Sequence, residues 1–353
     1  MTTRRALLGA ATVGMVLATA SRGWSATEPA VVFDALGEMR TVYTPALLDQ
    51  ILATGTRAIG VTITDPKVEA AKSLAQTHAD LDVYDRYYDA HPTYFIRAKA
   101  AADVDRAAAE RKIAVFYNLQ NSTPVEADFA AIAALRERGV ASIQLTYNDL
   151  NRSGAGCFVE ADPGLTPFGH DLIARLEQDR VLLDLSHAGM TTMAGAIAAS
   201  KRPPIISHTA CKALWNHRRN TTDENLRATA QKGGLVGMTQ IRTFLTSAKT
   251  DNRHFYFDHI DHAVKVAGID HVCIGSDRDH RVIPDTEEEL RILLQEEGSQ
   301  IKPDDWPLYL QGMNGPRRMD VVRDDLRKRG YSQAQIDKLM GTNVRRLYRD
   351  VVG

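Results

Sequence analysis

At 353 residues, the chain is long enough for one large α/β barrel or two ordinary domains. It is 44% hydrophobic and 25% charged with a formal net charge of −1, which excludes the basic stripe of a nucleic-acid binder and a broadly disordered chain. Cys157, Cys211 and Cys273 are an odd count with no C-x-x-C spacing, so neither a disulfide framework nor a zinc–cysteine site is expected.

In chain order, the opening segment stands apart. Thr3-Arg4-Arg5 precedes a mostly apolar stretch, 6–20, and small residues follow, with exit points after Ala20 or Ala26. A basic start, a short apolar middle and a small-residue exit read as an export signal over residues 1–26, and the paired arginines point to the twin-arginine route. The apolar run is shorter than the ~20 residues a membrane span needs. The expectation is a periplasmic or secreted protein with no stable membrane span, whose residues 27–353 form a single domain.

Eight apolar runs then read as strands: 31–34, 58–63, 113–119, 142–147, 181–187, 204–208, 235–240 and 271–277. Most are rich in Val and Ile and nearly continuously apolar, the pattern of parallel strands covered on both faces. Helical stripes lie between them. Residues 127–138 carry Phe129, Ile132, Ala133 and Leu135 on one face, and 165–178 open with Thr166-Pro167 and align Leu172, Ile173 and Leu176. Further crossovers are predicted at 190–200, 223–231 and 257–267. Eight βα units predict an α/β fold closed into a (β/α)8 TIM barrel. A doubly wound open sheet is the alternative, but no G-x-G-x-x-G follows the first strand. Two segments exceed the repeat. Residues 65–109, with Tyr84, Tyr87, Tyr88 and Tyr94 clustered, predict two or three extra helices, the tyrosines packing. Residues 284–353 predict a helical C-terminal tail of polar helices, broken at Pro303-Asp304-Asp305-Trp306-Pro307.

The chemistry-bearing residues fall at strand ends, which converge at one mouth of a barrel. Leu183-Asp184-Leu185-Ser186-His187, Ile206-Ser207-His208 and Gly275-Ser276-Asp277 deliver two histidines and an aspartate. Imidazoles from consecutive strands can share one metal, and Asp277 can ligate it or accept a proton from its water, so this trio predicts a metal-assisted hydrolase. Asp258, His259, Asp261 and His262 lie on a helix pattern, which predicts solvated or capping roles. Cys273 reads as a buried strand residue and Cys157 as a more exposed one in a Gly-rich loop.

These motifs, with Gly164-Leu165-Thr166-Pro167-Phe168-Gly169, Asp258-His259-Ile260-Asp261-His262, Gly268-Ile269-Asp270-His271-Val272 and a weaker echo at Gly341-Thr342-Asn343, resemble the renal, or membrane, dipeptidase family (peptidase family M19). The resemblance implies an amidohydrolase-type TIM barrel and hydrolysis of dipeptides with two zinc ions. His217-Arg218-Arg219-Asn220 is similar to the family's His-Pro-Arg-Asn segment, which implies that Arg219 holds a substrate carboxylate; a guanidinium fork suits that group.

The departures bear on the metal count. Asp34-Ala35-Leu36-Gly37-Glu38 stands where the family has Asp-Gly-His-x-Asp, so Leu36 replaces a histidine ligand and Glu38 an aspartate. Gln120, in Leu119-Gln120-Asn121-Ser122, replaces the metal-bridging glutamate, and Tyr147 replaces a substrate-binding histidine. Two neighbouring dications repel unless carboxylates lie between them, and Gln120 supplies none. The expected cofactor is therefore one divalent metal per chain, of the zinc kind, at His187 and His208, with Asp277, Glu38 and Gln120 as further metal-site positions. Asp277 and Tyr147 are the expected catalytic groups, and Arg219, Tyr147 and Asn121 the substrate-binding ones. The expected partner is a small molecule, a dipeptide or amino-acid derivative, with a homodimer left open. Another amide, a lactone, or binding without turnover are the other functions this scaffold admits.

Overall fold

The computed structural model describes residues 31–297 and 301–353; the expected export signal, 1–26, lies outside the described residues. Among the described residues nine strands form the sheet: β1 Val32–Gly37, β2 Thr56–Thr62, β3 Phe95–Arg97, β4 Ile113–Leu119, β5 Val140–Gln144, β6 Leu182–Asp184, β7 Ile205–Thr209, β8 Leu235–Met238 and β9 Val272–Ile274. All pairings are parallel, in the order β1-β2-β4-β5-β6-β7-β8-β9. Eight of them make a nearly closed (β/α)8 barrel, and every predicted strand is among the eight. Sequence reading missed β3, which pairs with the start of β4 through Phe95–Ile113. Three residues are too few to show a period of their own.

The helices start where local chemistry lets them. Thr166 caps Pro167–Gln178 by accepting from the Gly169 amide at 3.0 Å, and Thr222 caps Asp223–Gln231 in the same way. The long early segment forms Ala70–Ala90 and Ala102–Glu110, with Tyr88 buried as core.

Two barrel seams are narrow, and each is held by a buried aspartate. β6 and β7 share a single register pair, Asp184–Ile205. There Asp184 Oδ1 accepts from the Ser186 and Ser207 amides, both at 3.0 Å, and Oδ2 from the Ser207 hydroxyl at 2.5 Å. Between β9 and β1 no ladder is formed. Asp34 instead accepts from the Ser276 amide at 2.8 Å and its hydroxyl at 2.5 Å. Two backbone bonds, Asp277 N–H to the Leu36 carbonyl and Glu38 N–H to the Arg278 carbonyl, complete that seam.

The end of the barrel away from the strand C-termini is filled. Phe33, Phe116 and Tyr348 pack with ring centroids 4.7–5.5 Å apart. Tyr348 comes from the last helix, Asn343–Val351, whose Val344, Leu347 and Val351 are buried in the same cluster. The tail that reads as polar is thus a plug, with an apolar stripe spaced at 3, 1 and 3 residues. Its stripe covers the barrel floor and leaves the opposite mouth as the place for a ligand.

Candidate metal centre and substrate cavity

A cavity of about 820 Å³ opens at the strand C-termini. It is lined by Glu38, Gln120, Tyr147, His187, Arg219 and Asp277, contributed by or just after β1, β4, β5, β6, β7 and β9. His208, at the end of β7, is fully buried directly behind His187. Gly237 and Gly275 allow this close packing: a Cβ on either would lie within 1.9 Å of the Ser207 carbonyl oxygen. His187 and Asp277 both sit at positive φ, 65° and 55°, a conformation that costs non-glycine residues about 1–3 kcal/mol.

The two imidazoles meet edge to edge, with Nε2 atoms 2.9 Å apart. What occupies that contact is decided by the far side of each ring. His187 Nδ1 lies 2.6 Å from the Asn148 side-chain oxygen, which only accepts, so Nδ1 carries the proton. His208 Nδ1 lies 2.8 Å from Ser207 Oγ, and that hydroxyl donates its own proton to Asp184, so here too Nδ1 donates. Both Nε2 atoms therefore present lone pairs to one another. A shared cation relieves that repulsion. A shared proton is disfavoured, because burial first, then Arg219, holds both imidazoles well below the ordinary histidine range. Metal–imidazole bonds of about 2.0–2.1 Å are long enough for both Nε2 atoms to reach one shared ion lying off the line between them. Among the described residues no third His, Cys, Asp or Glu joins them as a group of three or more able to hold a metal ion; Asp277 lines the same cavity.

The first-strand side of the mouth has no comparable fit. Leu36 is buried and carries no donor atom, Glu38 is ion-paired with Arg40, and Gln120 donates to the Thr62 hydroxyl at 2.7 Å. Arg40 also reaches Asp279 at 3.2 Å. A cation is already present there as arginine.

Tyr147 stacks on the His187 ring, centroids 4.2 Å apart. Arg219 is almost fully buried, donates to the His208 carbonyl at 3.2 Å, lies 5.1 Å from the Phe244 ring centroid, and keeps its Nε without a partner. It makes no ion pair with Asp223 or Glu224 among the described residues; Asp223 faces His262 and Arg227. Asn121 is not among the cavity-lining residues. It donates to the Pro66 carbonyl and accepts from Asn151, fastening one loop to another.

His259, expected to be solvated or capping, is buried: it accepts from the Cys211 amide at 2.9 Å, and its Nε2 faces the Leu245 carbonyl. Asp258 and Asp261 pair with Arg329. Cys157 is half-buried beside Asn148, and burial pushes its thiol up to about 11, so it is no thiolate nucleophile at neutral pH. Sequence reading missed Asn148 and Arg278. Asn148 had only its place next to Tyr147 to mark it. Arg278 was hidden in the charged run Ser276–His280, yet it is 7% exposed, and burial, then Arg318, press its guanidinium down to about 10.

A nearly closed parallel barrel with histidines converging at its mouth is the architecture of the amidohydrolase-type barrels. The chain belongs to the membrane dipeptidase family, peptidase family M19, whose family model matches residues 33–290. It is similar to an amidohydrolase from Pseudomonas aeruginosa, with 26% identity, a TM-score of 0.81 and coverage of 92% of this chain and 97% of that one. It also shares its fold with a metallopeptidase from Rhodobacter sphaeroides liganded with a phosphinate mimic of the dipeptide L-Ala-D-Ala, at 18% identity, TM-score 0.75 and coverage of 92% and 100%. A probable dipeptidase from Pseudomonas aeruginosa matches at 18% identity and TM-score 0.74, over 92% and 96% of the two chains. No helix among the described residues is long and apolar enough to cross a membrane.

Proposed function

We propose that this chain hydrolyses a dipeptide or related amide with one divalent cation, of the zinc kind, held by His187 and His208, with Asp277 on the same cavity acting on the attacking water. The observation that carries this reading is the pair of facing Nε2 lone pairs 2.9 Å apart. The bound ion would supply Lewis acidity, polarising a carbonyl and acidifying water. The other roles belong to the chain. Asp277 takes the proton of the attacking water and returns it to the leaving amine. The Tyr147 phenol, held against His187, donates to the carbonyl oxygen as it becomes anionic. Arg219, with an unpartnered Nε, fixes the substrate carboxylate. Membership of a dipeptidase family supports the substrate class. Leu36, Gln120 and the Glu38–Arg40 pair support one ion rather than two. Arg4-Arg5 before the apolar run support export by the twin-arginine route, hence a periplasmic or secreted enzyme.

Elemental analysis of the purified protein is expected to find about one metal ion per chain, and chelation to abolish hydrolysis of a dipeptide panel. His208→Ala should lose both metal and activity. Two tightly held ions would overturn the single-metal reading, and hydrolysis retained by His208→Ala would remove the mechanism. Turnover of N-acyl amino acids or lactones but not dipeptides would move the reaction to a different substrate.

A further inference from the structure

Arg278 is the least satisfied cation in the cavity. Its guanidinium forms no hydrogen bond or ion pair with any described residue, and its Nη2 is both buried and without a partner. Its one directional contact is with the Tyr309 ring, 5.9 Å from centroid to guanidinium carbon. The carboxylates whose charge reaches it are Glu38, Asp279 and Asp277. Glu38 is bound to Arg40, and Asp279 to Arg40, Arg281 and the Tyr43 hydroxyl at 2.6 Å. Asp277 is reserved for the proton of the attacking water. Arg318 lies behind, donating to the Arg278 carbonyl at 3.2 Å, and adds a second positive charge.

An unpaired guanidinium withdrawn from water is costly, and an anion is the group that offsets the cost. Arg219 shows the same pattern from the loop after β7, while Arg278 presents it from the turn after β9. Both are cavity-lining and held near an aromatic ring. We propose that Arg278 is a second anion subsite, so that the substrate carries a further carboxylate besides the one held by Arg219: an acidic dipeptide or equivalent dianionic amide. This rests on the cavity being the substrate site of the proposed hydrolase, and deepens that reading by naming the substrate class.

The test uses near-isosteric pairs differing by one charge: Ala-Glu against Ala-Gln, and Glu-Ala against Gln-Ala. kcat/KM is measured on the metal-loaded enzyme and Kd by calorimetry on the chelated enzyme, for wild type, Arg278→Met and Arg278→Lys. In wild type, one acidic peptide should exceed its amide counterpart by about 10–100-fold in both measurements, the range of a charge-assisted pair. That ratio should fall to near unity in Arg278→Met and partly recover in Arg278→Lys. No acidic preference in the wild type, or an unchanged ratio in Arg278→Met, overturns the subsite whether or not the variant is stable, since the wild-type ratio stands alone. Hydrolysis of all four peptides without preference refutes the subsite and leaves the hydrolase. Selective binding of an acidic peptide by the chelated enzyme, lost in Arg278→Met, with no hydrolysis when loaded, refutes the hydrolase and leaves the subsite.

Discussion

Asp184→Asn is the substitution that most directly probes the proposed metal centre, because it changes no group that touches the cavity. Asp184 accepts three hydrogen bonds: two from backbone amides on Oδ1 and one from Ser207 on Oδ2. An asparagine oriented to keep both amide bonds places its NH2 where Oδ2 was. That group donates, so Ser207 Oγ must accept from it, and the Ser207 hydroxyl turns to its other neighbours, His208 Nδ1 at 2.8 Å and Ser186 Oγ at 3.1 Å, of which the imidazole nitrogen is the nearer and stronger acceptor. The proton of His208 then moves to Nε2, and one of the two facing lone pairs is lost. The packing is nearly unchanged, because asparagine is isosteric with aspartate, and burial, which raises the Asp184 pKa, already opposes a charge at this position. Loss of such a supporting partner typically weakens metal binding about 10–100-fold, or about 1.4–2.7 kcal/mol. Competition against a chromophoric chelator measures the affinity, and nitrogen-15 NMR of the chelated protein reports which imidazole nitrogen is protonated. Affinity within about twofold of wild type, with His208 still protonated on Nδ1, would refute the tautomer reasoning.

Two further outcomes are expected. Leu36→His combined with Gln120→Glu restores ligand types on the first-strand side, and metal content should rise from about one to about two ions per chain; if it stays at one, the Glu38–Arg40 pair and not the missing ligands blocks a second ion. Asp34 has its pKa raised from 3.8 to about 6, by burial opposed by Arg318 and Ser276. The folded state therefore binds this proton more tightly than the unfolded chain. The stability due to that proton is fully present below about pH 4 and is lost as pH rises through 6, on the order of 3 kcal/mol in all. The difference in urea-unfolding free energy between wild type and Asp34→Asn should fall by up to that amount from pH 4 to 7; a flat difference would show that Asp34 is ionised throughout.

Much of the architecture was legible along the chain. Each of β1, β2 and β4–β9 announces itself by a continuous apolar run, because burial on both faces demands one. A barrel places such strands' C-termini together, so His187 at the end of one and His208 at the end of the next could be paired before any coordinate was seen. The resemblance to the dipeptidase motifs, rather than the barrel geometry, marked Leu36 and Gln120 as replacements for metal ligands. The remaining features depend on pairings between distant residues that no local pattern records. Asp34 meets Ser276 across 242 residues. Asn148 sets the proton on His187, 39 residues away, and Ser207 and Asp184 set the one on His208. Tyr348, read as part of a polar tail, closes the barrel floor against Phe33. Arg278, one charge among several in its run, becomes distinct only because its neighbours are claimed by Arg40 and Arg281. Periodicity encodes which side of an element is buried. Which donor meets which acceptor, and which charge is left without one, follows only once the elements are packed.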